Sequence, residues 1–197
     1  MRLIAITGGI GSGKSVVAHM VQVMGFHVYD CDSRAKALMT ESTDVRQRLT
    51  EAFGEQTYLA DGSLNRQHLS AVAFSDSHAL ARLNDIVHPA TANDMMDWAA
   101  HRRAAGDSVA FVETALLRTA GLDRLMDEVW HVTAPDDVRV ARVMARSGLT
   151  AHQVRERMVS QKTEDSIASG EQVVINDNVS PLLPQITKLI KTYNTNN

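Results

Sequence analysis

The stretch "GGIGSGKS", Gly8 to Ser15, constrains this chain more than any other. It fits the spacing GxxxxGK[ST] through Gly8, Gly13, Lys14 and Ser15, and its flanks are what such a loop needs. The continuous apolar run "RLIAIT" (2–7) enters it and reads as a buried parallel strand. The helical pattern "KSVVAHMVQVM" (14–24) leaves it and stops at Gly25, after which "FHVYD" (26–30) gives a second strand. Strand, glycine loop, helix and strand within about thirty residues make a βαβ unit, which implies a parallel sheet covered by helices. Small residues let the backbone N–H groups of residues 11 to 15 wrap a triphosphate, and the helix N-terminus adds partial positive charge. Lys14 is placed to bridge the outer phosphates and the Ser15 hydroxyl to ligate Mg²⁺. The expected ligand is a nucleoside triphosphate, ATP.

The α/β rhythm is then interrupted. From residue 34 to about 105 no strong strand pattern occurs, only amphipathic helical segments. "VRQRLTEAF" closes at Gly54, "NRQHLSAVAF" follows the turn "DGS", "HALARLNDIV" is expected to break at His88-Pro89, and "ATANDMMDWAAHRRAA" ends at Gly106. Strands resume with "SVAFVE" (108–113), "EVWHVTA" (128–134) and "QVVIN" (172–176). Pro135 suits the first position of a helix "PDDVRVARVMAR", Thr150 suits the N-cap of "AHQVRERMVSQ", and "LLPQITKLIKTY" closes the chain ahead of a tail "NTNN" expected to fray. The expected architecture is therefore α/β: a P-loop NTPase core with a parallel β-sheet flanked by helices, a helical substrate-binding insertion and a helical lid. The boundaries are 1–32 with 106–197 for the core, about 139–165 for the lid within it, and 33–105 for the insertion.

Composition narrows the partners. In 197 residues the formal net charge of −3 argues against a broad nucleic-acid surface, which needs clustered positive charge. The single cysteine, Cys31, permits no internal disulfide, and the histidines show no metal-ligand spacing. The short apolar run before the glycines is too brief for a membrane span. A cytoplasmic monomer acting on a small molecule, without nucleic acid or membrane, is expected.

A phosphate loop does not name a reaction. The chain has neither the DxxG nor the NKxD of a guanine-nucleotide switch, and its nearest equivalent of an acidic strand end is Glu113 in "VAFVE". A small-molecule kinase remains, which needs an acceptor site, a base and mobile arginines. Arg139, Arg142 and Arg146 recur at i, i+3 and i+7, within about a 60° arc of one helix face, with Arg155 and Arg157 beyond the "SGLT" turn. Such guanidinium groups can neutralise the transferring phosphoryl group. Two carboxylates, Asp30 and Asp32, end the second strand and in an extended chain would share a side. Asp32 is assigned as the base that accepts the proton of an attacking hydroxyl, and Asp30 as a contact to a magnesium-bound water. Either could instead N-cap a helix starting near Ser33.

Taken together, "TGGIGSGKS", the D-x-D containing Asp32, "DGSLNR", an "F" followed by "HP" at 88–89, "GLDRLMD", "RVMARSGL" and "VIND" resemble the dephospho-coenzyme A kinase family over nearly the whole chain. The resemblance implies transfer of the γ-phosphoryl group of ATP, with Mg²⁺, to the 3′-hydroxyl of the ribose of dephospho-CoA, the last step of coenzyme A synthesis. It implies Asp32 as base, residues Gly11, Ser12, Gly13, Lys14, Ser15 and Val16 as the ATP loop, and Asn176 near the adenine. It also implies Arg142 and Arg146 in the lid, and Arg66 and His88 toward the acceptor. Another nucleotide or metabolite kinase, and a non-catalytic ATP-binding module, are the rival readings. The chain departs from the family's usual residues at Arg118 and Thr119, where an aromatic and an acid are common, and at Ser147, Gly170 and Glu171.

Overall fold

A computed structural model describes residues 1–73 and 76–194. Phe74, at the end of the second helical segment of the insertion, and the tail from Thr195 lie outside the described residues. The chain divides into two compact units, residues 1–29 with 101–197 and residues 30–100.

The first unit is built on a five-stranded sheet. Its strands are β1 (Arg2–Thr7), β2 (His27–Asp30), β3 (Val109–Glu113), β4 (Glu128–Thr133) and β5 (Gln172–Ile175), in the spatial order β2-β3-β1-β4-β5. β1 runs parallel to β3 and β4, and β4 runs parallel to β5. β1 is thus central, and its neighbours diverge on either side of its carboxyl end, the switch point at which open α/β sheets hold ligands. One face packs Ile4, Ile6, Phe111, Trp130, Val132 and Val174 against helix α1 (Lys14–Val23) and the C-terminal helix α9 (Leu182–Asn194). Both helices present a 3.6-period apolar stripe: Val17, Ala18 and Val21 on α1, and Ile186, Ile190 and Tyr193 on α9. The Tyr193 hydroxyl donates to Glu128 (2.8 Å) and accepts from the indole N–H of Trp130 (3.0 Å), tying α9 to β4.

After β4 come α6 (Asp136–Ser147), α7 (Ala151–Ser160) and the single turn α8 (Lys162–Asp165). Pro135 has extended ψ and stands as the N-cap of α6, one residue before the helical position expected for it. Thr150 caps α7 with a reciprocal capping box to Gln153. Val140, Val143 and Val154 seal α6 to α7 beside Ile10.

The second unit carries α2 (Cys31–Glu41), α3 (Thr43–Phe53), α4 (Arg66–Ala73) and most of α5 (Ser77–Ala104), around Val45, Leu49, Phe53, Leu69 and Ile86. The break expected at His88-Pro89 does not occur: α5 is continuous through Pro89. Proline lacks the N–H that would reach the carbonyl four residues back. Here that carbonyl, of Asp85, accepts from the guanidinium of Arg48 (3.4 Å), which supplies another donor. Among the described residues no helix is long and apolar enough to cross a membrane.

Candidate active site

The loop between β1 and α1 has three glycines at positive φ: Gly8 (138°), Gly11 (78°) and Gly13 (93°). Space matters as much as torsion. A Cβ on Gly13 would lie 2.1 Å from the side-chain nitrogen of Asn176, and one on Gly9 would lie 1.7 Å from an Asp165 oxygen. The carbonyls of Gly11 and Ser12 are turned outward. Ser12 O accepts from Asn176 Nδ2 (2.8 Å), and Gly11 O and Ser12 O both accept from Arg142 Nη1 (3.4 Å each). In a trans peptide the N–H points opposite its carbonyl, so the Gly13 N–H faces into the loop. The first N–H groups of α1 have no carbonyl a turn earlier to accept them. This is a cradle for an anion. The Val16 N–H, by contrast, closes the first helical turn on Gly13 O (3.0 Å).

Lys14 folds back so that its Nζ reaches Gly9 O (3.4 Å), over the cradle. Ser15 Oγ donates to Glu113 Oε1 (2.7 Å), bringing a hydroxyl and a carboxylate together where β3 ends. Hard oxygen ligands of this kind, few in number, fit Mg²⁺, which keeps most of its waters. Among the described residues no cluster of three metal-ligating side chains occurs.

The arginines of α6 divide in two ways. Arg139 is only 6% exposed and belongs to the scaffold. It donates from Nε to Ile10 O (2.9 Å) and from Nη2 to both carboxylate oxygens of Asp165 (2.9 and 3.1 Å). It is therefore not one of a set of three mobile arginines, because its partners occupy the guanidinium on both edges. Arg142 also bonds Asn176 Oδ1 (3.2 Å) and Asn178 Oδ1, while Arg146 is exposed in the last turn of α6.

The two aspartates separate as well. β2 ends at Asp30 and α2 begins at Cys31, so the extended geometry expected for Asp30 and Asp32 does not hold. Asp30 is the N-cap, its carboxylate accepting from the Ser33 N–H (3.0 Å) and hydroxyl (2.6 Å). Asp32 is exposed in the first turn of α2. Within the second unit, Arg66 opens α4 at the rim of a cavity of about 390 Å³ whose walls include Lys36, Met39, Leu64, Leu69 and Ser70. His88 is half-buried in α5, and burial lowers its pKa against the opposing pull of Asp85.

Sequence reasoning missed the root, residues 161–165, of the helical arm formed by α6, α7 and α8. Gln161 Oε1 accepts from the Ile10 N–H (3.0 Å), Asp165 holds Arg139, and Glu164 receives the N–H groups of Arg118 and Thr119. The spacing i, i+3, i+4 of these three side chains marks one helix face and was the available signal. Arg118, Thr119 and Glu171, three of the five positions that departed from the family's usual residues, meet in this cluster: Arg118 pairs with Glu171 and Thr119 with Glu164.

Known proteins give the same picture. The family model described as dephospho-CoA kinase matches residues 2–181. Curated dephospho-CoA kinases from Porphyromonas gingivalis and Corynebacterium efficiens are 41% identical over 197 residues and 40% identical over 192 residues. The first alignment covers 99% of this chain and 96% of the relative, the second 96% of each. Among solved structures, the protein TT1252 from Thermus thermophilus superposes with TM-score 0.78 at 29% identity, over 98% of this chain and 96% of that one. A dephospho-CoA kinase from Campylobacter jejuni shares the fold, with TM-score 0.72 at 20% identity over 97% of this chain and 96% of its own. The match runs through the helical insertion as well as the phosphate loop, and the chain belongs to the dephospho-CoA kinase family.

Proposed function

We propose that this chain transfers the γ-phosphoryl group of ATP to the 3′-hydroxyl of the ribose of dephospho-CoA, giving coenzyme A and ADP. The observation that carries the reading is the loop itself, with carbonyls braced outward by Arg142 and Asn176, Lys14 arched over it and Ser15 meeting Glu113. Residues 11–15 hold the phosphates of ATP, the Val16 N–H being closed on Gly13 O, and Asn176 lies beside the adenine. Ser15 and Glu113 hold Mg²⁺, directly or through its waters, and the ion supplies charge neutralisation to the outer phosphates. Lys14 carries part of the charge on the transferring group, and Arg142 and Arg146 carry the rest. Asp32 takes the proton of the attacking hydroxyl. Its exposure keeps it open to substrate, and Asp30 does the capping work that would otherwise compete for it.

The acceptor is assigned to residues 30–100. The cavity bounded by Met39, Leu64 and Leu69 offers an apolar floor for a flexible arm, and Lys36 and Arg66 offer positive charge for phosphates. His88, whose pKa burial lowers, can give the acceptor a hydrogen bond. Catalysis then consists of positioning and charge stabilisation, with no phosphoenzyme. Release of ADP, followed across dephospho-CoA, nucleosides and simple sugar alcohols, tests the assignment. Turnover is expected with dephospho-CoA alone; equal turnover with an unrelated alcohol would identify a different kinase.

A further inference from the structure

The face of the sheet away from α1 and α9 carries a buried polar cluster that phosphoryl transfer does not use. His131 sits in mid-sheet, 2% exposed, in register with Thr7 on β1 and Val173 on β5. Its Nδ1 is 3.3 Å from Glu171 Oε2, yet neither atom makes a hydrogen bond among the described residues. The other oxygen of Glu171 is taken by Arg118 Nη2. Arg118 is also held through its backbone. Glu164, 1% exposed, accepts from the N–H of Arg118 (3.2 Å), the N–H of Thr119 (2.8 Å) and the Thr119 hydroxyl (2.7 Å). The adjacent Asp165 grips Arg139, and Arg139 with Gln161 clasps the carbonyl and N–H of Ile10 in the phosphate loop.

We propose that Arg118 is a positioning residue for the phosphate loop: anchored on Glu171, it keeps the turn at 116–121 against Glu164 and so fixes the root of the helical arm on residues 9 and 10. The inference rests on the kinase reading above. Glu171 is a buried carboxylate, and Arg118 is the permanent cation that balances it. Without Arg118, the group nearest to Glu171 that can take up a proton is His131. Burial holds the His131 imidazole below its ordinary pKa, Glu171 and Asp165 pull it up, and Arg118 pushes it down. Loss of Arg118 therefore moves His131 toward protonation, and loss of the Glu171 charge moves it the other way.

The full chain is compared with Arg118→Met, Arg118→Lys, Glu171→Gln and the Arg118→Met/Glu171→Gln pair. KM for ATP and for dephospho-CoA, kcat, and the His131 ring titration by NMR are read. In Arg118→Met, KM for ATP is expected to rise about tenfold with KM for dephospho-CoA unchanged, the scale of a lost charged hydrogen bond. Arg118→Lys should recover most of it, and the paired variant should lie nearer wild type than Arg118→Met. His131 should titrate higher in Arg118→Met and lower in Glu171→Gln. An ATP KM within twofold of wild type, or a fall confined to kcat that tracks the folded fraction, would overturn the proposal. So would an unmoved His131. If Arg118→Met does not accumulate folded, Glu171→Gln decides, with a raised ATP KM and a lowered His131 titration expected and no change in either overturning the idea. A wild type that leaves dephospho-CoA untouched would sink the kinase reading, while ATP affinity by calorimetry and the His131 titration would still judge Arg118.

Discussion

Asp30 and Asp32 stand two positions apart and do different physical work. Asp30 satisfies two donors of Ser33 at the start of α2, so Asp30→Ala should lower stability by about 1 kcal/mol in denaturant unfolding, the usual value of an N-cap, and change turnover less than a mutation at 32. Asp32→Asn keeps size and loses basicity. It should leave ATP affinity intact and lower turnover roughly a hundredfold or more, the scale of a positioned base; near-wild-type turnover would remove Asp32 from that role. The two arginines differ in the same way. Arg142 bonds the loop carbonyls and Asn176, so Arg142→Ala should raise KM for ATP and also lower kcat. Among the described residues Arg146 shows no such contact with the loop, and Arg146→Ala should lower kcat with KM little changed. Identical steady-state profiles for the two variants would contradict this division.

The elements were legible in the sequence where one physical signal dominated. The apolar run 2–7, the glycines after it and the 3.6-period stripes of α1 and α9 fixed the strands, the loop and the helices that cover one sheet face. Thr150 announced α7 as an N-cap residue, and the fold completes it with a capping box to Gln153. Long-range compensation was not legible. Pro89 reads locally as a break, and only the fold brings Arg48 to the carbonyl it frees. Arg139 shares a helical face with Arg142, but its burial depends on Asp165 and Ile10, which lie 26 and 129 residues away in the chain. The start of α2 was legible only as the alternative N-cap reading, because "VYDCD" continues a strand pattern until Asp30 caps it. At this scale the loop itself is testable. Gly13→Ala forces a Cβ to 2.1 Å from Asn176 at a φ of 93°, which L side chains rarely adopt. ATP binding measured by calorimetry should weaken by more than tenfold, about 1.4 kcal/mol; unchanged affinity would show that the cradle is not where ATP sits.

Over the whole molecule, one buried and one half-buried imidazole link stability to pH. His131 and His88 are held below the ordinary imidazole pKa, in both cases chiefly by burial. Below about pH 6.5 the unfolded chain binds protons that the folded chain refuses, so stability is complete above that pH and is lost as pH falls through it. Melting temperature should decline between about pH 7.5 and 5.5, and His131→Asn should flatten part of the slope. ATP with Mg²⁺ should raise the melting temperature by mass action, since it binds only the folded loop. If these parts serve one reaction, the mass of the acceptor must record it. After incubation with ATP and Mg²⁺, dephospho-CoA is predicted to gain the mass of one phosphate at its ribose 3′-hydroxyl, in step with ADP release. ATP consumed while the acceptor keeps its mass would mean that this chain is not a kinase of dephospho-CoA.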